Sequence, residues 1–178
     1  MSHTHTCYAV TKKQPNARMC FVCGLSNSAG LRAGFFELEN QSIVSLFDGS
    51  DHLQGYPGRL HGGMAAMILD ETIGRAVCID HGETVWGVTL GLETRFRQPV
   101  PLDSRVTTVG SIVKEGRRSF VGTGRIVLPD GTVAVEATGK YLRLPIEEIA
   151  DFDVQHEHWR VVPMDTDPDS IELPSLDG

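Results

Sequence analysis

The apolar positions of this chain change period twice. Between residues 62 and 79, Met64, Met67, Ile68, Ile73, Ala76 and Val77 recur at the three-to-four-residue spacing of a helix face. Upstream, 35–38 and 42–47 read as two short strands joined by a turn at Asn40-Gln41. The helical run stops near Asp80-His81-Gly82. Downstream, 84–97, 105–114, 119–127 and 132–144 read as strands, punctuated by Gln98-Pro99-Val100-Pro101, Glu115-Gly116-Arg117-Arg118 and Pro129-Asp130-Gly131. One long helix followed by antiparallel strands predicts an α+β fold, a curved antiparallel sheet wrapped around a central helix. A helix so wrapped is buried on most sides, and Ala65, Ala66, Gly74 and Ala76 permit the close backbone approach this requires. The stretch 48–60 is long for a tight connection and suits a substrate entrance.

Outside this region the pattern weakens. Residues 1–34 are polar and irregular, with Pro15, Asn16 and several glycines. After Pro145, a short helix is expected over 146–152, and disorder from Pro163 onward, where Asp, Pro and Ser dominate. His156 and His158, beside Trp159, read as tail residues without partners. The expected organisation is an irregular N-terminal segment (1–34), one folded domain (35–145) and an acidic, partly disordered tail (146–178). No internal repeat is evident.

A length of 178 residues with 40% hydrophobic content suits a single domain with a real core. The net charge of −7 comes from the tail: residues 145–178 hold ten acids and one base, Arg160, leaving the rest slightly positive. That body can meet a phosphate-bearing ligand. No basic stripe interleaved with aromatics suggests nucleic-acid binding. No apolar run approaches the ~20 residues of a membrane span. The first residues lack a secretory pattern, and four cysteines make no disulfide framework in a chain of this size. A cytoplasmic protein is expected.

The chemistry concentrates at His61-Gly62-Gly63 and Asp70. The glycines fall where the helix begins, where backbone N–H groups lack internal partners and the macrodipole is positive. Bare amides there can approach a carbonyl or anion, or simply permit tight entry into a packed helix. Asp70 is an acid inside an otherwise apolar helix, costly unless it has a partner or a task. A polarising amide and a carboxylate suit acyl chemistry. Nine helical residues advance about 13.5 Å and turn about 180°, so both cannot act on one bond from one chain. Joint action requires a second copy, hence a homodimer with two interfacial sites. Glu71 lies about 100° around the helix from Asp70 and is placed to pair with Arg75.

These residues resemble the hotdog-fold thioesterases, in the branch of phenylacetate-pathway and 4-hydroxybenzoyl-CoA enzymes. The resemblance covers about residues 20–145. It is carried by Cys20-Phe21-Val22-Cys23-Gly24-Leu25 with Gly30-Leu31, by Gly58-Arg59-Leu60-His61-Gly62-Gly63 with Leu69-Asp70-Glu71, and by Phe96-Arg97-Gln98-Pro99-Val100-Pro101. Glu115-Gly116-Arg117-Arg118 and Asp130-Gly131 with Val133-Ala134 complete it. It implies an acyl-CoA thioesterase, dimeric or a tetramer of paired dimers, with Asp70 as general base or nucleophile and Gly62 and Gly63 as oxyanion donors. It also implies a hydroxyl at Thr89 pointing at the carboxylate or water, and makes Gln54 a candidate contact for the thioester. His61 either orients substrate or lytic water, or hydrogen-bonds the preceding loop as a cap. Arg59, Arg95, Arg97, Arg117 and Arg118 are candidates for the coenzyme A phosphates, the tight-turn pair Arg117-Arg118 being the better placed. Met64, Met67, Tyr56, Trp86 and Phe96 line a pocket or pack a core equally well.

One Cys20-x-x-Cys23 supplies two of the four ligands of a structural zinc site, with His3, His5 and Cys7 as further candidates. No metal is expected, and no cofactor, since a thioester is already activated. The alternative is a non-hydrolytic module binding acyl-CoA or an acyl carrier protein, although pure binding gains little from a buried acid. A hotdog hydratase is weaker still, as its Asp/His loop-to-helix pairing is absent.

Overall fold

The helical run folds as α1 (Gly62–Arg75) and α2 (Val77–His81), a bent rod rather than the single helix expected over 62–79. At the bend, the Ala76 N–H donates to Ile73 O and the Ile79 N–H to Ala76 O, both at 3.2 Å. These three-residue steps tighten the ladder locally. Gly82, at φ +71°, ends the rod with its N–H on Cys78 O at 2.9 Å.

The computed structural model describes residues 5–174. In chain order the strands are β1 (His5–Lys13), β2 (Gly34–Leu38), β3 (Ile43–Asp48), β4 (Gln54–Tyr56), β5 (Arg59–Leu60), β6 (Val85–Phe96), β7 (Arg105–Glu115), β8 (Ser119–Val127), β9 (Val133–Pro145) and β10 (Ser170–Pro174). A single turn, α3 (Ile146–Ile149), follows β9, shorter than the helix expected over 146–152. Eight strands form one antiparallel sheet in the order β10-β1-β2-β3-β7-β8-β9-β6, and β4 and β5 form a separate hairpin. The rod lies against the inner face of β3, β7, β8, β9 and β6. Ile68, Leu69 and Ile73 are fully buried there, each contributing about 2 kcal/mol through removal of apolar surface from water. Where α1 crosses β6 the backbones touch. A Cβ added at Gly87 would lie 2.8 Å from Gly74 O and 3.2 Å from Gly74 Cα, so this crossing excludes a side chain.

Two buried leucines anchor the otherwise largely exposed stretch 48–60. Leu53 and Leu60 are buried, His61 N–H donates to Leu53 O, and Leu60 N–H donates to Val100 O.

Both chain ends depart from expectation. Residues 5–13, expected to be irregular, form β1, which pairs with β2 on one side and β10 on the other. Residues 170–174, in the stretch expected to be disordered, form β10. Ile171 and Leu173 of β10 join Phe36, Leu38, Val44, Val109 and Val127 in a second core on the outer face of the sheet. β2 and β3 are therefore buried on both faces, Phe35 inward and Phe36 outward. The intervening tail is docked as well. Trp159 packs edge-on to Trp86 at 5.0 Å, Arg18 pairs with Glu157 at 2.9 Å, and Asn16 N–H donates to Arg160 O. His156, read as partnerless, lies 2.8 Å from Glu157. His3 and residues 175–178 lie outside the described residues. Among those described, no helix is long and apolar enough to cross a membrane.

Candidate active site

α1 starts with His61 as its N-cap, in extended conformation (φ −62°, ψ 136°). His61 Nδ1 accepts the Gly63 N–H at 2.9 Å, which requires the proton on Nε2. His61 therefore caps α1 through its side chain, while its own N–H donates to Leu53 O in the preceding loop. The bond to Nδ1 corrects the expectation for Gly63, whose amide is satisfied within its own chain. Gly62 differs: among the described residues its N–H has no hydrogen-bond partner. It is exposed at the helix start, where an unpaired donor and the positive dipole end coincide. Phe96, at the end of β6, stands beside it, within 3.4 Å of where a Cβ on Gly62 would lie.

Asp70 lies two turns further along α1, half-buried. Its Oδ1 accepts Thr89 Oγ1–H at 2.9 Å and Tyr141 O–H at 3.0 Å. Thr89 and Tyr141 are cross-strand partners in the β6–β9 register. The sheet thus delivers two hydroxyls side by side beneath one carboxylate. The Tyr141 hydroxyl also lies 3.2 Å from the Asp70 carbonyl, and the ring stacks on Phe120 at 5.0 Å. Burial, then the nearby Asp70 charge, raises its ionisation above the ordinary phenol range, so it remains a donor. With both hydroxyls on Oδ1, Oδ2 has no hydrogen-bond partner among the described residues. The carboxylate is oriented, with one oxygen free to take a proton or attack a carbonyl. β6 carries a register shift between Thr89 and Gly91, just beyond this contact, with Leu90 exposed.

The pairing of Thr89 with Asp70 agrees with the sequence expectation; Tyr141 was missed. Glu71 and Arg75 form the expected ion pair at 2.7 Å. The proposed ligand contacts are dispersed. Gln54 Oε1 accepts the Gly58 N–H at 3.3 Å and closes its own hairpin, while Arg59 is exposed on β5. Arg97 is held by Glu136 at 2.7 Å, and Arg95 lies 3.5 Å from Glu93. Arg117 and Arg118 are exposed on a turn whose carbonyls bind Arg143: Nη2 donates to Gly116 O and Arg117 O, and the Arg143 N–H to Arg118 O. That turn sits beside the end of β9 that pairs with the Thr89 end of β6. Trp86 is core, whereas Tyr56 and Phe96 are exposed. His5 and Cys7 lie exposed on β1; the group that joins Cys20 and Cys23 is Glu71, with sulfurs and carboxylate oxygen all within 4.8 Å. A cavity of about 390 Å³ bordered by Lys13, Arg32, Phe36 and Arg105 includes no residue of α1 or β6.

Residues 57–135 match the family model of the thioesterase superfamily. Acyl-coenzyme A thioesterase THEM4 of Mus musculus is 36% identical over 117 residues, 65% of this chain and 49% of that protein. THEM4 of Bos taurus is 31% identical over 141 residues, 78% of this chain and 57% of that protein. The chain spans about half the length of the curated relatives it matches. A solved thioesterase superfamily protein overlays with a TM-score of 0.64 at 29% identity, over 70% of this chain and 63% of that one. Gly62, Asp70 and Thr89 fall inside the matched segment; Tyr141 lies beyond it. With a bent rod wrapped by an eight-stranded antiparallel sheet, this chain has the hotdog fold, and residues 57–135 of it match the thioesterase superfamily.

Proposed function

We propose that this chain hydrolyses acyl-CoA thioesters, with Asp70 of one protomer and the Gly62 amide of a second copy acting on one bond. The observation that carries the reading is the orientation of the half-buried Asp70 carboxylate by Thr89 and Tyr141. In the general-base route, a water oxygen attacks the thioester carbonyl while Asp70 takes its proton. The Gly62 N–H stabilises the oxyanion, and collapse breaks the C–S bond, the proton passing to the departing coenzyme A sulfur. In the nucleophilic route, Asp70 attacks the carbonyl carbon, the C–S bond breaks as the coenzyme A thiolate leaves, and water then cleaves the anhydride to the free acid and Asp70. Arg117 and Arg118, exposed beside the Thr89 end of β6, are assigned to the coenzyme A phosphates in preference to Arg97, which Glu136 occupies.

The two-chain site is supported by the layout of α1 and β6. They run in opposite directions: Gly87 meets Gly74, Thr89 meets Asp70, and Phe96 meets Gly62. β6 is also the end strand of the sheet, so one of its edges is unpaired among the described residues. An antiparallel pairing of two β6 edges about a dyad between Leu92 and Glu93 sets Thr89 of one chain opposite Phe96 of the other. Asp70 then faces the partner's helix start, which its own chain keeps about 12 Å away along the rod.

The test is hydrolysis of short, medium, long and aromatic acyl-CoAs by wild type and Asp70→Asn, with mass determined by light scattering. The expected result is a dimer in both, with kcat lower by about 10³-fold in the variant. Full activity of Asp70→Asn, or a wild type that binds acyl-CoA without turning it over, overturns the proposal.

A further inference from the structure

The Cys20-Phe21-Val22-Cys23 turn takes no part in the site at Asp70, yet its sulfurs are held as a pair. The Gly24 N–H closes the turn on Cys20 O at 2.8 Å, and a side chain on Gly24 would meet that oxygen at 2.3 Å. Cys20 Sγ accepts the N–H groups of Val22 and Cys23, each at 3.4 Å. Cys23 Sγ accepts Arg75 Nη2 at 3.2 Å. Arg75 is fully buried in α1, its other nitrogens on Glu71 and Pro15 O. Cys20 is half-buried and reachable, whereas Cys23 lies behind it in the core.

Two chemistries suit such a cluster, a soft divalent metal or thiol oxidation. A metal would find three donors, Cys20, Cys23 and Glu71, where a structural site closes with four. It would also sit against a permanent cation already bonded to one of its sulfurs. Thiol chemistry keeps that cation on Cys23, while the two backbone amides stabilise negative charge on Cys20. The Cys23 thiol donates to Cys20 and brings it down to about 6 against the opposing effects of burial and the Glu71 charge, while Cys23 itself, holding that proton in the core, is raised.

We propose that Cys20 and Cys23 are a peroxide-sensitive dithiol that closes to a reversible disulfide. The Cys20 thiolate attacks one oxygen of hydrogen peroxide, the O–O bond breaks, and Cys20 becomes a sulfenic acid as hydroxide leaves and is protonated to water. The Cys23 sulfur then attacks the Cys20 sulfur. The S–O bond breaks, the S–S bond forms, and a second water carries off the Cys23 proton. Two electrons have passed from the sulfurs to peroxide, and a dithiol reductant returns them.

The experiment treats the reduced 178-residue chain with hydrogen peroxide at neutral pH and follows each cysteine by peptide mass spectrometry. The peptide holding both cysteines should lose two hydrogens, recover them in dithiothreitol, and react about tenfold faster than exposed Cys7. Cys23→Ser should stop at a sulfenic acid on Cys20 that dimedone traps, and Cys20→Ser should lose the reaction. Should either variant fail to fold, as judged by circular dichroism, the wild-type peptide decides alone. Oxidation of Cys7 with the pair untouched overturns the proposal. So does uptake of one equivalent of zinc by the reduced protein that Cys20→Ser abolishes.

Discussion

Asp70 announces itself in the chain because an acid interrupts an apolar helical run; Tyr141 does not. It is one aromatic among the alternating residues of β9, and its task is set by packing that brings it beside its strand partner Thr89 and onto Asp70, 71 residues away. Thr89 stood between these cases, since threonine is ordinary in strands and only the family pattern marked it out. Each hydroxyl gives a charge-assisted hydrogen bond to Oδ1. Removing one loses about 1.5 kcal/mol of orientation, so Thr89→Ala and Tyr141→Phe should each lower kcat about tenfold. KM should change little, and Thr89→Ser should restore most of the loss. Steady-state kinetics on whichever acyl-CoA wild type prefers decides this, and unchanged kcat in both variants removes the hydroxyls from the mechanism.

The elements that position these residues were read from periodicity with small errors, because α1 and β6–β9 carry strong, local patterns. The helix came out broken at Ala76, where nothing in the residue types marks a bend. The Glu71–Arg75 pair was foreseen from spacing, but its surroundings were not. Arg75 is buried against Phe35 at 4.2 Å and Trp86 at 5.0 Å, and bonds Pro15 O from a segment expected to be irregular. The guanidinium thus fastens the N-terminal segment to the C-terminal end of α1. Glu71→Ala leaves this cation in the core without its carboxylate and should cost about 3 kcal/mol. Urea unfolding measures the loss, and a change below about 0.5 kcal/mol would mark the pair as an ordinary surface contact. β10 was hidden for a different reason: its two apolar residues lie in an acid-rich tail, and its partner strand is at the other end of the chain. Leu173→Ala should therefore destabilise by about 3 kcal/mol, as a core truncation does. The neutral effect of a change in a disordered tail would contradict the second core.

In the molecule as a whole, the two ends of the sheet differ. The short strand β10 (5 residues) ends one side, whereas among the described residues β6 ends the other with an unpaired edge of 12 residues beside the Asp70 carboxylate and the Gly62 amide. The separation of those two groups along one rod was deducible from helix geometry alone; how a partner closes it was not, since strand order is a property of the fold. A complementation experiment decides whether one site draws on two chains. Gly62→Pro deletes the N–H at the first helical position, where proline is tolerated, and His61 already has the extended ψ of 136° that a following proline imposes. Gly62→Pro and Asp70→Asn should each be inactive alone. Dissociated and reannealed together, random pairing yields heterodimers in which one of two sites unites wild-type Asp70 with wild-type Gly62, restoring about a quarter of wild-type activity. If both groups came from the same chain, no heterodimer would hold an intact site, and the mixture would stay as inactive as its parts.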